Sequence, residues 1–146
     1  MTLRLDVTLI PPAVRHDRVY AALDRLGLGE ALDLVVDHRP SPMRYELDAT
    51  RPDEYQWEDS RSGPERFNAR ITCLARIVDA RPTLAAGGEP FEMIMAAAAE
   101  IDSEPLVVLA PFEPVPLEGV LGAQGFNHRT TQLPDGTWRT VFRRTT

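Results

Sequence analysis

The sequence predicts a mixed α/β (α+β) chain made of two tandem β-α-β-α-β-β units, each a two-layer sandwich of helices on a four-stranded sheet. Three observations predict it. The stretch from Gly29, GEALDLVVDHRPSPMRYEL, returns from Ser103 as SEPLVVLAPFEPVPLEGVL, so that Leu32, Pro40, Pro42 and Met43 line up with Leu106, Pro114, Pro116 and Leu117. Hydrophobic periodicity switches from strand to helix and back in the same order in each half. Each half then closes on an alternating segment broken by a turn. A repeat near half the chain length means two copies of one supersecondary unit, here residues 1–73 and 74–146.

The elements follow in order. Arg4 to Ile10 alternates and is rich in branched side chains, as a strand is, and Pro11-Pro12 ends it. Val19, Ala22, Leu23 and Leu26 recur at helical spacing while Arg15, Asp17, Arg18, Asp24 and Arg25 face water, and Gly27 and Gly29 close the segment. Leu32 to Val36 is a short, continuously apolar strand. Strand, helix, strand makes a right-handed parallel crossover. Met43 to Ala49 forms a short second helix with Met43, Leu47 and Tyr45 as its apolar face and Pro42 in its first turn. Tyr55 and Trp57, a turn at Ser60 to Pro64, then Phe67, Ala69 and Ile71 make a hairpin. The second copy repeats this with a strand at Ile77 to Ala80, a helix from Phe91 to Ile101, a strand at Leu106 to Ala110, a helix near Pro116 to Ala123, and a hairpin turning at Pro134-Asp135-Gly136. Gly87-Gly88 is expected to ease entry into the long helix, and Trp57 and Trp138 to fill the sheet interface. Each half alone is near the lower limit for independent stability, so the two are expected to pack together.

Composition narrows function. Net charge is −6, with 10 Arg against 13 acids in residues 1–73 and 6 against 9 in the rest. No basic stripe exists to neutralise phosphates, which argues against nucleic acid. All 16 basic residues are Arg. Schiff-base, lysine-base and P-loop chemistry are thereby excluded. Arg in place of Lys, with abundant Ala and Pro, points to a GC-rich bacterial genome. The single cysteine, Cys73, can form neither an intrachain disulfide nor a cysteine metal cluster, which fits a reducing, cytoplasmic setting. The apolar runs Ala31 to Val36 and Leu106 to Ala110 are too short to span a bilayer, and no signal core opens the chain.

The Leu5-Asp6 opening, the Gly29-Glu30 turn, the Asp37-His38-x-Pro40-x-Pro42 segment and the run from Ala110 to Leu117 resemble the TusA/SirA-like sulfur-relay proteins. They resemble more closely an uncharacterised relative, the domain-of-unknown-function family 2249, twice over. The resemblance implies the TusA-like sandwich for each repeat. TusA-like carriers place a cysteine just before the first helix, where a helix N-terminus stabilises a thiolate. Here that position is Pro12, and its counterpart in copy two falls near Ala86. Cys73 lies at the junction of the repeats and does not match the motif, so the carrier's chemistry is not transferred.

In a parallel βαβ unit the end of the first strand, the start of the helix and the end of the second strand share one sheet edge, where ligands bind. His16 and His38 sit at these places, with Asp37 beside His38 and Met43 near the same edge. Two imidazoles and a carboxylate suit zinc, iron, copper or nickel and leave a position open. Against this, His16 can simply bond near a helix start and Asp37 can cap the Pro-rich turn. Arg15 and Arg39, with Arg18 and Arg44, gather around the same edge and offer contacts to a small anion, with Asp17, Asp37 and Glu46 positioned to neutralise them. Copy two is an internal control: sequence alignment sets Pro90 opposite His16 and Phe112 opposite His38. His128 reads as a lone strand histidine. No nucleophile elbow, zinc-protease helix, dinucleotide loop or Cys-His pair is present, which points away from an enzyme. The expectation is a small binding or regulatory module holding a transition metal (zinc, iron or copper) or a small ligand in repeat one. The alternatives are an accessory protein to a partner in redox or sulfur metabolism, and a pure protein-interaction module using the Pro-rich loops.

Overall fold

Leu3 and Leu5 alternate with polar neighbours in β1 (Thr2–Asp6), and the strand stops there, short of the Ile10 that the pattern predicts. Asp6 causes the stop. Its carboxylate accepts from the Thr8 amide at 3.0 Å and from the Thr8 hydroxyl, capping a 3-10 turn over Val7–Leu9. A second such turn, Pro12–Val14, leads into α1 (Arg15–Leu23), which buries Val19 and Leu23. Gly29, at φ 81°, swings the chain into β2 (Ala31–Val36), a conformation that costs other residues strain. α2 (Ser41–Thr50) starts with Pro42 in its first turn. Met43 and Leu47 are buried, but Tyr45 is exposed and does not belong to the apolar face. The hairpin follows as β3 (Tyr55–Gly63) and β4 (Arg66–Cys73), with a bulge between Arg61 and Gly63.

The computed structural model describes residues 2–145 and divides into two compact units between Leu74 and Ala75. The second unit runs β5 (Arg76–Asp79), α3 (Arg81–Ala85), α4 (Phe91–Glu100), β6 (Leu106–Ala110), α5 (Val115–Ala123), β7 (Phe126–Gln132) and β8 (Trp138–Arg144). The short helix α3 is the one α-helix that the periodicity does not predict. Asp79 nucleates it by accepting from the Arg81 amide at 3.1 Å, and Pro82 lies in its first turn. Gly87, at φ 80°, and the Gly88 amide, 2.8 Å from the Thr83 carbonyl, close it. The glycine pair therefore ends α3 instead of opening α4.

Both units carry the same four-stranded mixed sheet. In the first the order is β1-β2-β4-β3, with β1 and β2 parallel and β4 antiparallel to both β2 and β3. In the second it is β5-β6-β8-β7 with the same directions. The second unit's core joins Leu106 and Val108 of β6 to Ile94 and Ala98 of α4 and Leu117 and Leu121 of α5. Alternate strand residues thus meet both helices on one face of the sheet, the two-layer arrangement that two amphipathic helices permit. Trp57 and Trp138 are half-buried on β3 and β8. No helix among the described residues is long and apolar enough to cross a membrane.

Candidate functional site

The parallel pairing of β1 with β2 sets Asp6 opposite Val35, so the chain leaving β1 and the chain leaving β2 emerge on one edge. α1 begins there. The result is a pocket of about 190 Å³ with Val7, Val19, Leu34, Val36 and Met43 as its apolar lining and Arg15, His16 and His38 among its polar ones. His16 and His38 come together as strand order dictates, and Met43 joins them.

Each imidazole has a carboxylate at its back. His38 donates from Nδ1 to Asp37 Oδ1 at 2.8 Å, and His16 Nδ1 lies 3.3 Å from Glu46 Oε2. A carboxylate on Nδ1 fixes the ring and its tautomer and leaves Nε2 as the nitrogen with a free lone pair. The two side chains are 61% and 65% exposed, open to an incoming ion. Asp37 is also 3.3 Å from the Arg15 guanidinium. The hydrogen bond from His38, helped by the charge and hydrogen bond of Arg15, holds its carboxyl below the usual carboxylate range, with desolvation opposing. Asp37 is engaged twice, by His38 and by Arg15. Arg15 donates in addition from Nε to the Ile10 carbonyl at 2.9 Å, which ties the exit of β1 to the end of β2.

The other expected contacts separate. Arg39 lines a different depression, with Asp59, Ser60, Arg61 and Phe67, and Arg44 faces Asp59 at 3.8 Å. Arg15 and Arg39 do not converge on one anion. Glu46, read from sequence as a neutraliser of arginine, faces His16, a pairing across two helices that carries no spacing signal. His128 Nε2 lies 3.5 Å from Glu118 Oε2 and its ring tilts against Phe142, a structural setting on β7. Cys73 is buried at the end of β4. Among the described residues, no group of three or more His, Cys, Asp and Glu is assembled to hold a metal ion. His16, His38 and Met43 all line the pocket.

The same pocket exists in the second unit, lined by Ala80, Ile94, Val108, Ala110 and Leu117 at the places of Val7, Val19, Leu34, Val36 and Met43. Strand register and burial correct the sequence alignment by one residue on the helix. Val19 and Leu23 are the buried residues of α1 and Ile94 and Ala98 those of α4, which sets Phe91, not Pro90, at the place of His16. The cause is the link from helix to strand: Leu23 to Leu32 is a step of 9 residues, whereas Ala98 to Leu106 is a step of 8. Phe112 stands where His38 does. Both histidines of the first pocket are thus phenylalanines in the second.

Neither curated proteins nor solved structures gave a match to this chain. One family model does match, and it matches twice, over residues 4–73 and 77–144: DUF2249, an uncharacterized conserved protein family. The two spans coincide with the two sheets, and the chain belongs to DUF2249 as a tandem pair of its domains.

Proposed function

We propose that the first repeat is a small binding module that takes a soft or borderline transition metal, copper or zinc, through Nε2 of His16 and His38. The observation that carries this reading is the carboxylate behind each imidazole, Asp37 on His38 and Glu46 on His16, at the mouth of one pocket. Such pairs hold the ring in place for a metal. They also weigh against a small anion as the occupant, because the two carboxylates offset the charge of the imidazoles and Asp37 occupies Arg15. Met43 lines the same pocket, and a thioether beside two imidazoles would favour Cu(I). With few protein donors the ion keeps open positions, which suits a carrier, a sensor or a site shared with a partner protein of redox metabolism. A TusA-like kinship of the fold favours sulfur relay as the alternative, but that chemistry needs an accessible thiol and Cys73 is fully buried.

Elemental mass spectrometry on protein purified without chelator tests the reading. The expected result is near-stoichiometric metal that is lost in the His16→Ala/His38→Ala double variant while its circular dichroism spectrum is unchanged. The same metal content in the double variant contradicts the proposed site.

A further inference from the structure

The second repeat keeps the pocket and changes its chemistry. At about 520 Å³ it is more than twice the size of the first, within the range that small-molecule sites occupy. Val108, Ala110 and Ile94 line it with aliphatic surface. Phe91 and Phe112 also line it, yet remain 41% and 52% exposed, so large rings are left in water around a cavity that has room to receive an apolar body. Among the described lining residues Glu89 carries the only charge. Its Oε1 accepts from the Phe91 amide at 3.0 Å, which anchors the carboxylate beside the first ring.

We propose that this cavity binds a small organic cation, an apolar body carrying an ammonium group, with the body on the aliphatic lining and the cation between the faces of Phe91 and Phe112 and the Glu89 carboxylate. Aromatic faces and a carboxylate both attract a positive group, and neither attracts an anion. Both repeats then take a positive group by different means: the imidazole lone pairs of the first accept a metal ion directly, and the rings and carboxylate of the second accept a charged organic molecule. The inference is independent of the metal reading, since it uses no residue of the first repeat.

A matched series on the whole chain tests it: 3-phenylpropylammonium, 3-phenylpropanol and 3-phenylpropionate share one body and differ in the head group. Titration at millimolar concentration, followed by the methyl resonances of Val108, Ile94 and Leu117, is expected to rank them ammonium, alcohol, carboxylate. The ammonium is expected to bind about three- to five-fold more tightly than the alcohol. Glu89→Gln narrows that gap and Phe112→Ala weakens all three, whereas the His16→Ala/His38→Ala variant binds as the parent does. Equal affinity for the three head groups overturns the cation assignment. Absence of shifts at these methyls with every probe overturns the site.

Discussion

Asp37 shows what one carboxylate can do at a strand end. It accepts from His38 at 2.8 Å and faces Arg15 at 3.3 Å, so a single side chain aims an imidazole and ties down the helix entry. Asp37→Asn keeps the shape but removes the carboxylate that orients His38. Metal affinity is expected to fall about ten-fold, with thermal unfolding little changed, as isothermal titration beside a melting curve checks. Unchanged affinity removes Asp37 from the site. His16, His38 and Asp37 were legible in the sequence because strand order alone brings them to one edge. Glu46 was not, because its partnership with His16 depends on how α1 and α2 lie on the sheet. The exclusion of Arg39 was equally invisible: successive residues leaving a strand point to different sides, and the direction of the loop decides between them.

At the scale of elements, the βαβαββ order was legible in both halves, since periodicity and proline punctuation mark each strand and helix. The misses have local causes. β1 ends early because Asp6 captures Thr8, and Asp79 at the equivalent place captures Arg81 and starts α3. One polar side chain at a strand end outweighs the apolar alternation that follows it. Tyr45 fits the helical period yet is exposed, whereas Leu121 of α5 is completely buried against the sheet. Leu121→Ala is therefore expected to cost about 2–5 kcal/mol in denaturant unfolding, and Tyr45→Ala no more than about 0.5 kcal/mol. Comparable losses at both positions contradict the assigned faces. The helix-to-hairpin link is also repeated with altered chemistry: Arg44 to Asp59 across α2 and β3, and Glu118 to Thr130, at 2.9 Å, across α5 and β7.

Over the whole chain the duplication preserves architecture and lets the pockets diverge, His16 and His38 in one copy, Phe91 and Phe112 in the other. The repeat was legible from Leu32/Leu106 onward; the one-residue shift that reveals Phe91 was hidden in the link from helix to strand, one residue shorter in the second copy. Acid response is a property of the whole chain as well. Asp33 beside Arg70, Asp79 beside Arg81 and Asp135 under the Thr137 amide are all held below their ordinary values, by hydrogen bonds first and charge second where an arginine is the partner. A folded-state pKa below the unfolded one means that the unfolded chain binds more protons as acid is added. This stabilisation is complete above the ordinary aspartate value, about 3.9, and is lost as pH falls through it and the lower folded values. Urea midpoints are expected to hold between neutrality and about pH 5 and to drop below about pH 4. A midpoint that rises in that acid window contradicts these pairings.

The most direct test of the metal site reads the ring nitrogens themselves, by long-range nitrogen–proton NMR of the imidazoles during anaerobic titration with Cu(I) and, separately, with Zn(II). The account predicts that Nε2 of His16 and of His38 shift together at one equivalent of metal, while Nδ1 of each stays beside its carboxylate and His128 does not respond. Binding through Nδ1, or at His128 with His16 and His38 unmoved, contradicts it.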